Sequence, residues 1–280
     1  MKRILAVLLS LCILTAVFTA CQSEPPVPTS AEIKVMSWNL LNPSWGGGPA
    51  DMRSAPFLLT IENEHPDVLG VQEASSPWHE EFKALPEHYV PVNDAREDGK
   101  AMMTAFLYNR DTLTLIENGI EDLDPDSNIR VVSWAVFEVK NTAVRFLITN
   151  THPDSRETQC LLHTEKQLKI VEKLRKEKGL PLFSVGDFNA VESSKAYKLH
   201  ILDGFTDCKY ADGVAVVQDI DSYLQGDYGG RITTGRGSRD HIFFKGNVSP
   251  MFFTTLSENG VTTVSDHLPV TAVVTVGSEE

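Results

Sequence analysis

The chain has 280 residues, of which 42% are hydrophobic and 22% charged. That composition supplies enough apolar side chain for a full core and excludes an intrinsically disordered chain. The formal net charge of −13 argues against tight nonspecific attachment to a polyanion such as DNA, yet a metal ion can supply the local positive charge that a polyanionic substrate needs.

Met1-Lys2-Arg3 followed by the apolar run Ile4 to Ala20 has the basic start and short hydrophobic stretch of a secretory signal, too short for a comfortable membrane span. Residues 1–20 are therefore set apart from the fold. The run closes on Phe18-Thr19-Ala20-Cys21, which resembles a bacterial lipobox with Phe18 where leucine is usual. That resemblance implies an exported chain anchored to the cell envelope through acylated Cys21, a secreted or periplasmic chain being the alternative. Residues 21–31 then form a tether stiffened by Pro25, Pro26 and Pro28. With Cys12 in the signal, Cys160 and Cys208 remain; an exported chain permits one disulfide between them, sequence does not place them within bridging distance, and two separate thiols are the expectation.

Glu32 to Trp38 is β-branched and apolar enough for a strand, and it delivers Asn39, a hard oxygen ligand, at its tip. Pro43 to Pro49, with Gly46 to Gly48, is a loop that flexes or approaches a ligand, and Trp45 is placed to touch substrate. Phe57, Leu58 and Ile61 repeat with helical period over Arg53 to Glu64, and His65-Pro66 ends that helix. Asp67 to Val71 is the next strand and runs straight into Gln72-Glu73. A carboxylate at the end of a buried strand must be paired, hydrogen-bonded or bound to a cation. Glu73 is thus a candidate metal ligand, with a salt bridge or cap as the structural alternative. Ser76 to Leu85 reads as a short helix capped by Ser76, Met102 to Tyr108 as a strand, and Leu113 to Ile116 as a further one.

Val131 to Lys140 and Ala143 to Thr149 are two strands joined by the hairpin-sized Asn141-Thr142. The second ends in Asn150-Thr151-His152, where the histidine is either a structural hydrogen-bonder or a catalyst. Arg156 to Lys178 is a helix with Leu161, Leu168, Val171 and Leu174 on one face, ended by Gly179 and Pro181. Pro181 to Val185 is a short buried strand, broken by Gly186 where Asp187 and Asn189 appear. Side chains two apart on an extended backbone point the same way. Asp187 and Asn189 are therefore expected to address one reacting atom, unless Gly-Asp-x-Asn is simply a turn.

Ser194 to Leu202 is a short helix and Gly204 to Asp207 a turn. Residues 211–239 are irregular, and their Gly-spaced Arg231, Arg236 and Arg239 suit a phosphate clamp or pairing with surface acids. Asp240 to Phe244 and Met251 to Leu256 are strands, and Ser265-Asp266-His267 precedes the last one, Val270 to Val276. No repeat or composition shift divides residues 32–280, which read as one domain. Hairpins interrupt the strand–helix rhythm, so a mixed sheet or two packed sheets flanked by helices fits, with polar residues gathered at one open edge.

Six segments, Trp38-Asn39, Gln72-Glu73, Asn150-Thr151-His152, Gly186-Asp187-Phe188-Asn189, Asp240-His241-Ile242-Phe243 and Ser265-Asp266-His267, resemble in order the motif set of the endonuclease/exonuclease/phosphatase superfamily. The resemblance implies a DNase I-like α/β fold, a four-layer sandwich of two mixed β-sheets flanked by helices. It also implies a Mg²⁺- or Mn²⁺-dependent phosphoesterase that hydrolyses a phosphate ester with an activated water; separately from the resemblance, a monomer is the expectation. On that resemblance Asn39 and Glu73 attend the metal, Asp266 serves a second metal or orients His267 or the water, Asp187 with Asn189 orients or deprotonates the water, and Asp240 holds His267 to neutralise phosphoryl charge. His152 would hydrogen-bond the phosphate or protonate the leaving oxygen, and Tyr108, Arg231, Arg236 and Arg239 are candidate substrate contacts. Two departures bear on the entry to the site: Arg239 stands where the family usually has an aliphatic residue, and Pro153-Asp154-Ser155 follows His152. Alternatives are a secreted DNase-like endonuclease with nucleic acid as substrate and a ligand-binding lipoprotein without turnover.

Overall fold

Strand β1 (Ser30–Asn39) sends Ile33 and Val35 to one side and Met36 and Trp38 to the other, and all four are buried. Both faces of its sheet must therefore be covered. A computed structural model describes residues 26–92, 103–124, 126–127, 129–224, 237–258 and 260–278. The expected signal, Cys21, Arg231 and Arg236 lie outside the described residues.

After β1 come α1 (Asp51–Glu64), β2 (Val68–Gln72), α2 (Ser76–Glu81), β3 (Tyr89–Val92), β4 (Phe106–Asn109), β5 (Leu113–Asp122), β6 (Val131–Val139) and β7 (Arg145–Thr151). Then follow α3 (Glu157–Lys178), β8 (Leu182–Asp187), α4 (Lys195–Leu202), β9 (Thr206–Asp207), β10 (Ala215–Gln218), β11 (Asp240–Lys245), β12 (Val248–Thr255) and β13 (Val270–Gly277). One sheet has seven strands in the order β10-β12-β13-β1-β2-β4-β3, the other six in the order β5-β6-β7-β8-β11-β9. Ile33, Val35, Val68 and Phe106 of the first sheet pack against Phe137, Phe146, Phe183 and Val185 of the second. On the outside of the first sheet Met36, Trp38 and Val71 bury Phe57 of α1 and Trp78 of α2. On the outside of the second, Trp134, Val136 and Phe243 bury Leu168 and Val171 of α3 and Tyr197 of α4. The result is the expected four-layer sandwich of two mixed sheets between helices.

Register decides which strand ends meet. β1 runs parallel to β2 with Asn39 opposite Gln72, and β7 runs parallel to β8 with Thr151 opposite Gly186. β11 runs antiparallel to β8 with Asp240 opposite Asp187, and β13 antiparallel to β1 with Val270 opposite Ser37. The ends of β1, β2, β7 and β8 and the starts of β11 and β13 therefore share one edge. Tyr108 is the exception. β4 runs antiparallel to β2, so Tyr108 lies opposite Val68, at the far end, with its ring centroid 5.0 Å from that of Phe137. It belongs to the core between the sheets, and the expectation of a substrate contact there is corrected.

A buried amide clasp sets the two sheets against each other at this edge. Asn150 of β7 donates from Nδ2 to Val71 O and Ala105 O, both at 2.9 Å, and accepts from Gln72 Nε2 at 2.8 Å. Gly70 makes the room, since a Cβ there would meet Val185 Cγ2 at 2.6 Å and Asn150 Cγ at 3.2 Å.

Several boundaries differ from expectation. Pairing of β1 begins at Ser30, and Pro28 O and Thr29 O already accept hydrogen bonds from Ala143 N and Ser278 N, so the end of the expected tether is part of the domain. α2 stops at Glu81 and tightens into a 3-10 turn over Phe82–Ala84, and its N-cap position falls on Ser75. β4 starts at Phe106, later than expected, and β5 extends to Asp122. β3, interrupted by Pro91, carried too weak a pattern to be expected. Cys160 and Cys208 are free, buried thiols.

Truncating Asn150 would take from Val71 O and Ala105 O the side-chain donor they share, and from the Gln72 amide one of its acceptors, in a dry interior. Asn150→Ala is expected to cost about 2–4 kcal/mol of stability, read as a lower urea midpoint; a midpoint equal to wild type would show the clasp to be dispensable.

Candidate active site

β2 ends at Gln72, and Glu73 then takes a left-handed backbone conformation, φ 58°, which turns its carboxylate into the shared edge. Glu73 Oε1 accepts from Asn39 Nδ2 at 3.0 Å and Oε2 from Asn42 N at 2.8 Å. The same Asn39 nitrogen donates to Asp187 Oδ2 at 3.0 Å. One amide thus bridges a carboxylate from each sheet. Asn39 Oδ1 accepts from Leu41 N at 2.9 Å, so in this arrangement the Asn39 amide acts as a donor that orients two acids. Burial raises the Glu73 carboxyl above its ordinary pKa, against the bonds from Asn42 and Asn39 that lower it.

Asp187 closes β8 directly after Gly186, where a Cβ would lie 2.2 Å from Thr151 O. Only glycine fits that approach. Asp187 Oδ1 accepts from Asn189 N at 2.8 Å, and Asn189 has φ 50°. The segment is therefore a turn, and the premise that the Asp187 and Asn189 side chains are parallel on an extended backbone is corrected. Asn189 instead ties two loops, donating from Nδ2 to Pro153 O at 3.1 Å and accepting at Oδ1 from Arg239 Nη1 at 3.3 Å. Behind the turn, His241 Nε2 is 2.9 Å from Ala190 O and its Nδ1 2.9 Å from Asp207 Oδ2.

Two histidines flank Asp187 in opposite charge states. His267 Nδ1 lies 2.7 Å from Asp240 Oδ2 and its Nε2 3.5 Å from Asp187 Oδ2. Burial lowers its pKa, but Asp240 and Asp187 together outweigh burial and push it up to about 10, so it is an imidazolium at neutral pH. His152 Nε2 is 3.4 Å from Asp187 Oδ2 and 3.8 Å from Glu73 Oε1. There burial wins over the pull of Asp187, helped by Arg130 and His267, and the pKa falls to about 3. His152 is neutral.

Around this centre stand residues that sequence reasoning passed over. Ser222 Oγ donates to Asp240 Oδ2 at 2.6 Å and accepts from Arg239 N and Asp240 N. The other oxygen, Asp240 Oδ1, is buried with no partner among the described residues. Arg130 Nη1 donates to His152 O at 2.8 Å, and Trp38 Nε1 to His267 O at 3.0 Å. The Tyr223 ring lies 4.9 Å from that of His267, and the Arg239 guanidinium 3.9 Å from the Tyr223 ring centre. Arg130, Ser222 and Tyr223 come from turns and irregular chain, where no periodicity marks a residue out. Asn42 carried a local signal, since its side chain caps the turn at Pro43–Trp45.

Asp187, Asp240 and His267 offer one ligand atom each, all within 4.8 Å of one another, a grouping able to hold a metal ion. Because the His267 imidazolium has no free lone pair, the better donors are the carboxylates. Burial raises Glu73 and Asp266 alike, and a cation would hold both ionised. Hard oxygens of this kind fit a hard divalent cation.

The model of the endonuclease/exonuclease/phosphatase family matches residues 36–267. Curated protein sequences give no match. Among solved structures, the endonuclease/exonuclease/phosphatase from Bacteroides vulgatus is 23% identical, with 87% of this chain and 98% of that one covered at a TM-score of 0.74. The Bacteroides thetaiotaomicron mannosyl-6-phosphatase is 22% identical over 86% of this chain and 99% of that one, TM-score 0.72. D. rerio TDP2 complexed with a single-strand DNA product is 14% identical over 87% and 99%, TM-score 0.68. At these identities the likeness concerns the fold.

Because the folded pKa of His267 is raised, the stability it contributes is complete below its unfolded value, ~6.5, and is lost as pH climbs through about 10. Asp240→Asn is accordingly expected to destabilise most near pH 6, with the gap to wild type narrowing at higher pH. NMR of the His267 ring should show titration moving down in that variant; an unmoved titration would contradict the pairing.

Proposed function

The chain belongs to the endonuclease/exonuclease/phosphatase family, and on that premise we propose that it is a Mg²⁺- or Mn²⁺-dependent hydrolase that cleaves a phosphate ester with an activated water. The observation that carries this is the placing of the Asp187 carboxylate between a neutral and a charged histidine, on the amide it shares with Glu73.

Glu73, with Asp266 and Asp187, would hold the cation, and a bound cation neutralises phosphate charge. Asp187, its Oδ1 fixed by Asn189 N and its Oδ2 by Asn39, accepts the proton of the attacking water. The His267 imidazolium, anchored on Asp240, stabilises the charge that grows on the phosphoryl oxygens. His152, with a pKa near 3, has no acidic proton to deliver at neutral pH. Hydrogen bonding through its neutral N–H is the role its surroundings support.

The proteins of similar fold include one named as a mannosyl-6-phosphatase and one complexed with a single-strand DNA product. A net charge of −13 favours small phosphate esters over nucleic acid as the substrate. The basic, apolar start and the Cys21 context support a domain that works outside the cytoplasm, held to the envelope by an acylated cysteine.

Purified protein given supercoiled DNA, bis-p-nitrophenyl phosphate or a panel of sugar and inositol phosphates should turn over the small esters, with Mg²⁺ or Mn²⁺ and not with EDTA. Glu73→Ala and Asp187→Ala should each lose about 10²- to 10⁴-fold; folded variants as active as wild type would end the proposal. In cells, Cys21→Ser should shift the protein from the membrane fraction to the soluble one, and an unchanged partition would argue against the lipid anchor.

A further inference from the structure

Arg239, the residue before Asp240 at the start of β11, is half-buried. Its Nη1 donates to Asn189 Oδ1 at 3.3 Å, and its guanidinium lies 3.9 Å from the centre of the Tyr223 ring. The remaining guanidinium N–H groups have no partner among the described residues. The stack is held firmly. Arg239 N donates to Ser222 Oγ. The segment carrying Tyr223 is bonded on both sides of that residue to the segment carrying His267, through Leu224 N to Asp266 O and Leu268 N to Ser222 O, both 2.7 Å. A cation fixed in this way gives up little side-chain freedom when it binds.

Counting oxygens shows what such a group is suited to. A phosphodiester has one negative charge and two non-bridging oxygens. A monoester has three terminal oxygens and a charge of about −1.5 to −2 at neutral pH. A cation held at the carboxylate corner and the His267 imidazolium would account for two of these oxygens. The third exists only in a monoester and calls for another positive donor of fixed direction, which a stacked guanidinium supplies.

We propose that Arg239, stacked on Tyr223 beside His267, is the residue that selects phosphomonoesters over phosphodiesters, by binding the third terminal oxygen. The inference rests on the phosphoesterase activity proposed above and names its substrate class. It falls on the residue by which this chain departs from the family pattern next to Asp240. The competing role, that Arg239 only orients Asn189, acts on every ester alike.

The test compares p-nitrophenyl phosphate with bis-p-nitrophenyl phosphate, which share a leaving group, using the full chain with Mg²⁺. Arg239→Met keeps length and packing on Tyr223 but removes the donors. It is expected to slow both esters, because Asn189 loses a partner, while the monoester-to-diester ratio of kcat/KM falls about 10- to 100-fold. Arg239→Lys should recover part of that ratio. Calorimetry with inorganic phosphate and dimethyl phosphate reads the same preference without turnover, phosphate binding being lost selectively in Arg239→Met. A folded Arg239→Met that keeps both the rate ratio and the binding ratio within about twofold of wild type would overturn the proposal. Should the wild type hydrolyse neither ester, the phosphoesterase activity fails by itself, and the binding ratio still decides the role of Arg239.

Discussion

One side-chain amide holds the two halves of the molecule to a common purpose. Asn39 gives its Nδ2 to Glu73 on its own sheet and to Asp187 on the other, at 3.0 Å each. Two carboxylates brought this close repel, and in a medium of low polarity that repulsion is large. The shared donor offsets part of it and fixes the separation. Everything else near the edge serves that separation: the Gln72–Asn150 clasp beneath it, the glycine at position 70 that admits the clasp, and the glycine at position 186 that lets Asp187 leave β8 against Thr151.

The same economy governs the histidines. His152 and His267 sit at similar distances from Asp187 Oδ2, 3.4 and 3.5 Å, yet one is neutral and the other charged. What separates them is the second neighbour. His267 has Asp240 at 2.7 Å, whereas His152 has a guanidinium bonded to its own carbonyl. An acid and an arginine, placed behind rather than within the centre, give one residue type two chemical roles.

Most of the scaffold was legible because the strand-forming runs are apolar and end abruptly in polar residues. Asn39, Glu73, His152, Asp187, Asp240 and His267 all reached one edge for that reason. The misplacements share a different cause. Tyr108 also follows an apolar run, but the direction in which β4 pairs is a tertiary fact, and it sends that tip away from the site. The orientation of the Asn39 amide depends on acids 34 and 148 residues distant. Gly-Asp-x-Asn suited both an extended tip and a turn, and the left-handed Asn189 takes the turn. Arg130, Ser222 and Tyr223 act through contacts made only once the loops have closed.

The pairing of β1 with β13 has a further bearing, on when the protein becomes competent. The strand that ends in Asn39 lies beside the strand that follows His267, so the first and last parts of the domain are neighbours. Contacts so far apart in the chain carry a high loop-closure cost and form late. Until β13 is made, β10 and β12 have no strand to join them to β1, and the seven-stranded sheet stays in two pieces. The reactive edge thus waits on the last strand, and a chain cut short before Val270 would lose the middle of a sheet along with the support of His267.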